Sequence, residues 1–503
     1  MKRLSCATMD ANKAKVVEVE SAFVRALPGF SIVGLPSQAI QESRDRIKSA
    51  LLSTGFSFPP QKITINLSPS DQRKEGSHFD LSVALLIALQ KEQVDFNGFF
   101  VFGELGLDGT IKATATLFSL ILSLATLHEH LNVLIPLSLA DEVATIPNVS
   151  VYAVETLEGA LAFFRETQNR EKSLHVKEHH LFANARMIEG SPFTCNDTFT
   201  LDFAEVKGQE RAKRASLIAA AGMHNILYEG SPGCGKSMSV KRLRYILPPM
   251  SVQEVLESTA YRSLNGEASD FEPLRPFRAP HHTSSRPSIF GGGSAQAKVG
   301  EVALAHRGML FFDEFPHFSK HVLESLREPL EDGKVLISRV NAKVTYETKF
   351  LFVAAQNPCP CGNLFNQEKP CRCTQLEIQR YKNKLSGPLL DRIDLYVQME
   401  EIKEDRQGLS SKEMYAKVLE AFTQQKKRKQ KELNGQMDDK EVAQFCQIDE
   451  VSKNLLQTAI TRYGLSHRGV NKILKVARTI ADLESAQKIE KSHLLEALSY
   501  RQR

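Results

Sequence analysis

The sequence predicts a multidomain α/β protein, and three observations carry that reading. Strand-like apolar runs alternate with apolar helical stretches over 1–165, and again over 201–400. In the second region a glycine-rich loop of pattern G-x-x-x-x-G-K-[ST] follows a strand-like run and leads into a helix-compatible one. Residues 401–503 read as helical throughout, with no strand runs and almost no Gly or Pro. A chain of 503 residues is expected to fold as two to four domains, since single cores rarely grow past roughly 250 residues.

The N-terminal α/β domain, 1–165, rests on strand-like Lys62-Ile-Thr-Ile-Asn-Leu67, Phe99 to Phe102 and Val133 to Pro136. Its helical stretches are Leu81 to Leu89 and Leu117 to Leu127. Residues 166–200 turn polar and charged, with Glu166-Thr-Gln-Asn-Arg-Glu-Lys and His179-His180, and are expected as a linker. No internal repeat is visible.

Composition bounds the function classes. Hydrophobic residues make up 42% of the chain, enough for stable cores. No apolar run approaches the ~18 residues that span a bilayer. The first ten residues lack the apolar core of a secretory signal, so a cytoplasmic location and no membrane partner are expected. A net charge of +5 permits nucleic-acid binding without arguing for it.

The loop is Gly230-Ser231-Pro232-Gly233-Cys234-Gly235-Lys236-Ser237, after the apolar Ile226 to Tyr228. Strand, loop and helix in that order aim backbone N–H groups and a positive helix end at a triphosphate. Lys236 would reach the β and γ phosphates, and the Ser237 hydroxyl would ligate Mg²⁺. The chain is therefore expected to bind ATP or GTP. Met309-Leu-Phe-Phe-Asp-Glu314 reads as a buried strand ending in two acids. Asp313 would hold Mg²⁺ through water and Glu314 would polarise the attacking water, an arrangement suited to ATP hydrolysis. Asn357 ends another apolar run, Phe350 to Gln356, where it would sense the γ phosphate or simply make a turn. Arg392 stands in the otherwise apolar Leu389-Leu-Asp-Arg-Ile-Asp394, either in an internal ion pair or aimed at a neighbouring subunit's nucleotide.

Together these residues resemble the AAA+ ATPases. Asp202-Phe-Ala-Glu-Val-Lys-Gly-Gln209 is similar to the family's adenine-side segment, which puts Val206 and Gly208 beside the base. Asp313-Glu314 resembles its Walker B motif, Asn357 its first sensor and Arg392 its arginine finger. Ser466-His-Arg-Gly-Val-Asn-Lys-Ile-Leu-Lys-Val-Ala-Arg478 resembles the second-sensor helix, which makes Arg468 the sensor candidate and 401–503 the α-helical lid.

Phe277-Arg-Ala-Pro-His-His-Thr283, Asn357-Pro-Cys-Pro-Cys-Gly362 and Leu385-Ser-Gly-Pro-Leu-Leu-Asp-Arg-Ile-Asp394 narrow the resemblance to the ComM/YifB family of magnesium-chelatase-like AAA+ proteins. That resemblance covers nearly the whole chain. It implies a homo-hexamer driving DNA branch migration and helicase activity during natural transformation, with ATP and Mg²⁺ as cofactors and single-stranded and branched DNA as partners. The sequence departs from the usual pattern at Gln356, where Met is common, and in the acidic Glu400-Glu-Ile-Lys-Glu; neither is expected to touch a catalytic position. The N-terminal domain resembles the Lon protease (S5-like) domain through Gly103-Glu-Leu-Gly-Leu-Asp-Gly109 and Lys74-Glu-Gly76. Counted from those landmarks, the nucleophile position falls on His78 and the base position on Phe118. A phenylalanine accepts no proton, so a non-peptidase domain is expected.

Three segments are candidates for touching DNA. Val335 to Thr348 alternates apolar and polar residues about Asn341-Ala342, a hairpin pattern with Arg339 and Lys343 flanking its tip. A surface hairpin with solvated charges is the bland alternative. The Pro-, Ser- and Gly-rich excursion from Leu274 to Gly300 offers Arg278, His281, His282 and Arg286 and reads as a mobile insertion. The run Gln424-Gln-Lys-Lys-Arg-Lys-Gln-Lys431 reads first as a solvated helix face or linker, then as a non-specific DNA contact.

Cys359, Cys361, Cys371 and Cys373 form C-x-C-x₉-C-x-C. Four thiolates in two pairs suit a structural Zn²⁺, with free thiols or a redox pair as the other readings. Cys6, Cys195, Cys234 and Cys446 are isolated and carry no assigned role. The leading expectation is thus a ring-forming ATPase motor acting on DNA. Its rival is a magnesium-chelatase-like motor subunit that remodels a protein partner.

Overall fold

The computed structural model describes residues 2–10, 12–177, 179–267, 271–292, 298–338, 343–366, 368–400 and 408–501. The chain divides into two compact units. The first holds Met1–Asn184, Thr259–Phe271 and Ser338–Val344; the second holds Ala185–Ser258, Glu272–Ile337 and Thr345–Arg503.

An eight-stranded mixed sheet organises the first unit, in the order Leu174–His175, Val149–Val154, Leu131–Pro136, Phe99–Val101, Lys2–Asp10, Lys13–Val24, Lys62–Ser68, Gly29–Val33. Lys2–Asp10 and Lys13–Val24 pair antiparallel, whereas Phe99–Val101, Leu131–Pro136 and Val149–Val154 run parallel. Helix Asp80–Ala88 is buried from Asp80 to Ile87, which is why it shows no polar face in sequence. The stretch expected as a linker is folded instead. Thr167–Ser173 is helical, Leu174–His175 adds a sheet edge against Tyr152 and Val151, and Arg186–Ile188 pairs with Ser191–Thr194. Edge pairing needs only backbone N–H and C=O groups, so a polar sequence does not exclude it.

The second unit is built on a five-stranded parallel sheet in the order Phe277–Arg278, Met309–Phe312, Leu351–Gln356, Ile226–Gly230, Leu395–Met399. Every residue of the three inner strands is buried, the pattern of a parallel sheet covered on both faces. Helices Ser411–Lys427, Glu450–Tyr463, His467–Leu483 and Lys491–Ser499 form the C-terminal helical region. Their Val418, Val476 and Ala477 share one core with Ile226, Val353 and Val397 of the sheet.

The excursion expected as a mobile insertion carries secondary structure in its described part, and residues 293–297 lie outside the described residues. Phe277 and Arg278 pair with Met309 and Leu310 as the sheet's outer strand, and Arg286–Phe290 is a short helix capped by Ser285. A two-residue strand has no periodicity to betray it. The hairpin strands are present as Lys334–Ser338 and Lys343–Glu347. Their tip, with Arg339, lies outside the described residues. No described helix is long and apolar enough to cross a membrane.

Candidate functional site

Three neighbouring parallel strands converge on the phosphate loop. Ile226–Gly230 delivers the loop and Lys236–Leu243 continues it as a helix. Gly233 and Gly235 have φ of +86° and +92°, where any side chain would be strained, so the loop can curl with its N–H groups turned inward. Lys236 Nζ donates to the carbonyls of Gly230 (2.6 Å) and Ser231 (2.9 Å) and to Asn357 Oδ1 (3.2 Å). Burial lowers the Lys236 pKa, while Cys234 and Asp313 work to raise it. Ser237 Oγ donates to Asp313 Oδ2 at 3.0 Å, and the Glu314 N–H donates to Asp313 Oδ1 at 2.9 Å. Glu314 itself sits at φ +51° with a side chain 54% exposed.

The segment Asp202–Gln209, expected on the adenine side, is tied to this loop. Val206 is buried, and the left-handed Gly208 and Gln209 turn the chain into helix Glu210–Gly222. Gln209 Nε2 donates to the Cys234 carbonyl at 3.2 Å. At the head of helix Ser411–Lys427, Ser411 Oγ accepts from the Phe203 N–H at 2.8 Å, and the Ser411 N–H donates to Asp202 Oδ1 at 2.6 Å. The C-terminal helical region therefore grips this segment directly.

Arg392 and Arg468 lie elsewhere. Asn225, just before the loop's strand, donates to the Arg392 carbonyl at 2.8 Å, and its own N–H donates to Asp394 Oδ2 at 3.0 Å. That is the amino-terminal edge of the sheet, one strand length (roughly 13 Å) from the loop. Arg392 is only 6% exposed and pairs with Glu331 Oε2; Arg468 Nη1 meets the other oxygen of Glu331 at 3.0 Å. Burial works against the charge of Arg392, and Arg468 and Arg327 add repulsion. The two arginines open onto a cleft of about 630 Å³ that Glu331, Asp332, Lys472 and Lys475 also line. Nothing in the sequence marks Glu331 as their shared partner.

The four cysteines of the motif meet. Their sulfurs all lie within 4.8 Å of one another, with Cys359–Cys361 at 3.4 Å and both Cys359–Cys371 and Cys361–Cys371 at 3.6 Å. Thiolates about 2.3 Å from a tetrahedral zinc stand about 3.8 Å apart, so the set fits the ion. Backbone N–H groups of Asn363 and Arg372 hold the Cys361 thiol down to about 6, and burial pushes Cys359 up to about 12. Gly362 packs so closely on the phosphate loop that a Cβ there would fall 2.6 Å from Pro232 Cδ.

The remaining candidates separate. Arg278 faces Glu301 at 4.0 Å and Arg286 Nε donates to Ser325 Oγ at 2.9 Å. His281 Nδ1 bonds Thr283 Oγ1 at 2.8 Å, while His282 Nδ1 stands 3.3 Å from Glu314 Oε2. The basic run divides: Lys427, Lys429 and Lys431 are exposed, as the solvated face expected, whereas Lys426 and Arg428 are partly covered. Arg428 makes a two-pronged pair with Asp482 at 2.6 Å per bond, and Lys426 lies 5.1 Å from the Phe422 ring. Gln356 Nε2 donates at 2.9 Å to Glu229 Oε1 on the loop's strand, a contact that involves none of the expected catalytic residues. The Tyr396 hydroxyl bonds the second Glu229 oxygen. Lys343 belongs to a described strand, and Arg339 falls outside the described residues.

In the first unit, His78 is buried with Nε2 2.9 Å from the Ala7 carbonyl, and burial lowers its pKa to about 4. Phe118 is fully buried against Phe271, ring centroids 5.6 Å apart. Ser77 Oγ donates to Glu104, and Lys74 Nζ to the Pro69 carbonyl. Neither pair makes a serine nucleophile with a lysine base.

Comparison with known proteins fits this geometry. The family described as magnesium chelatase, subunit ChlI matches residues 202–407. A second, subunit ChlI of Mg-chelatase, matches 19–138, and the ChlI C-terminal family matches 408–501. Competence protein ComM of Haemophilus influenzae is 37% identical over 97% of this chain and 95% of its own length. The YifB protein of Salmonella typhimurium is 38% identical over 97% and 94%. The magnesium-chelatase 38 kDa subunit of Cereibacter sphaeroides is 22% identical over 60% of this chain and 92% of its own. An ATPase motor of the magnesium-chelatase-like AAA+ type is what these matches support, and the chain belongs to the ComM/YifB family.

Proposed function

We propose that this protein is an ATP-driven motor that assembles from several copies, a homo-hexamer on the family resemblance, and moves branched or single-stranded DNA. One observation supports the assembly: Arg392 and Arg468, paired with Glu331, lie at the sheet edge away from this copy's phosphate loop, which leaves another copy's nucleotide as their target if they serve one. Within one copy, Lys236 and the loop N–H groups hold the phosphates and Asn357 contacts Lys236. Ser237 and Asp313 would hold Mg²⁺, which supplies charge against the phosphates when bound. Glu314 would draw a proton from the attacking water, and the neighbour's Arg392 would offset charge developing on the γ phosphate. Cys359, Cys361, Cys371 and Cys373 would hold a structural Zn²⁺ behind the loop.

The DNA substrate rests on similarity to a protein named for competence and on the hairpin with Lys343. The N-terminal unit, on its resemblance to the Lon domain, serves as a non-peptidase scaffold. A chelatase-type motor acting on a protein partner is the second reading, and the ChlI family matches favour it. Against it, the 38 kDa chelatase subunit covers only 60% of this chain.

The test is ATP-driven migration of a labelled three- or four-stranded DNA junction, with Glu314→Gln as control. Wild type is expected to move the junction, and the variant to bind ATP while turning it over at least ~100-fold more slowly. No movement, together with ATP turnover indifferent to DNA, would overturn the DNA reading in favour of a protein substrate.

A further inference from the structure

We infer that Glu229 and Gln356 are positioning residues that keep Asn357 beside the phosphate loop when Lys236 turns to a bound phosphate. The two face each other across neighbouring parallel strands, one just before Gly230 and the other just before Asn357. Gln356 Nε2 donates to Glu229 Oε1 at 2.9 Å, and both side chains are buried. One position further along, the same two strands are joined a second time. Lys236 Nζ donates to the Gly230 carbonyl at 2.6 Å and to Asn357 Oδ1 at 3.2 Å. Chain and hydrogen bonds thus close a ring through Glu229, Gly230, Lys236, Asn357 and Gln356.

A triphosphate acts on these two bridges differently. An ammonium has three donors, and Lys236 directs its own at Gly230, Ser231 and Asn357. Reaching a phosphate takes donors away from those oxygens, so the bridge through Lys236 weakens as nucleotide binds. The Glu229–Gln356 bond involves no phosphate-binding group and persists, tying the strand end that carries Asn357 to the strand that carries the loop. Packing alone does not account for this amide. Its oxygen is buried with no hydrogen-bond partner among the described residues, a cost that an apolar side chain of the same size would avoid. On the opposite side of Glu229, the Tyr396 hydroxyl donates to the second carboxylate oxygen from strand Leu395–Met399. That contact aims the carboxylate but has no tie to Asn357.

This inference rests on the reading that the chain hydrolyses ATP. Its test is steady-state ATP turnover of purified Gln356→Met, Glu229→Gln and Tyr396→Phe proteins. Turnover is counted per ADP-binding site, so that misfolded chains do not enter, and ADP affinity is titrated alongside. Gln356→Met keeps the volume and removes the donor. It is expected to lower kcat about ten-fold, the scale of a displaced catalytic contact, with KM and ADP affinity unchanged. An amide at position 229 can accept from Gln356 and donate to Tyr396, so Glu229→Gln is expected to keep most of kcat. Tyr396→Phe removes a bond to the same carboxylate without untying Asn357, and its kcat is expected to stay near that of wild type. An equal fall in Tyr396→Phe or in Glu229→Gln, or a fall in Gln356→Met matched by lost ADP affinity, overturns the inference. Wild type without turnover removes the ATPase reading and this one with it; active wild type with unchanged kcat in Gln356→Met removes this one alone.

Discussion

The two edges of the parallel sheet in the second unit use charge in opposite ways. At the carboxyl-terminal edge the charged groups face one another across a glycine loop: Lys236 reaches Asn357, and Ser237 reaches Asp313. At the amino-terminal edge Arg392 and Arg468 share one carboxylate, Glu331, beside an open cleft. The first edge is the cradle proposed for a triphosphate, which would balance its donors. The second is a pair of cations sharing one acid, which leaves a positive charge in excess for another anion to meet. A half-site of each kind on one molecule makes sense when copies pack so that one edge meets the other.

The largest expected effect tests the cradle. Lys236→Ala removes the cation at its centre and is expected to abolish nucleotide binding, measured by titration with a fluorescent ATP analogue. Unchanged affinity would sink the assignment of the loop.

The next effect tests the opposite edge and the sharing between copies. Arg392→Ala is expected to cut turnover about 1,000-fold or more, the range for an arginine that offsets transition-state charge from a neighbour. Mixing it with Lys236→Ala sharpens the point. Each variant is inactive alone, but in mixed assemblies about a quarter of the contacts pair an intact loop with an intact arginine, so turnover should return. A mixture as inactive as its parts would mean that both residues serve the same copy's site, against the roughly 13 Å that separates the edges.

The edges also differ in how far the sequence reveals them. The cradle was legible because its strands are buried on both faces and so appear as unbroken apolar runs, each ending in its functional residue. The loop is local, and its spacing carries its geometry. Arg392 stood out as a cation in an apolar run, with an internal ion pair as one of its readings, and it makes that pair; Arg468 was legible only by resemblance, and Glu331 not at all, since an acid on a short surface helix looks like any other. His282 was visible as half of a histidine pair, but its approach to Glu314 depends on the outer strand Phe277–Arg278, too short to leave a pattern. The basic run was legible only in part, since Lys427, Lys429 and Lys431 are exposed while Arg428 is tied down. Local charge suggested solvent, while Asp482, the partner of Arg428, lies 54 positions away. Residues 166–200 misled, because their edge strand is held by backbone bonds that composition does not record.

The smallest expected effect asks whether the cysteine cluster belongs to the cradle. Gly362, beside Cys361, presses on Pro232, so the cluster's segment backs the phosphate loop. Elemental analysis of protein purified without chelator is expected to find about one zinc per chain. Stripping the ion should then loosen the loop's support without removing any group that touches nucleotide. That predicts a rise in KM for ATP of about two- to five-fold, the scale of a misplaced but intact contact, with kcat less affected. Protein that holds no zinc removes the metal site. Zinc that can be stripped with KM unchanged would confine the cluster to shaping its own loop and leave the cradle to stand on Lys236, Ser237 and their partners.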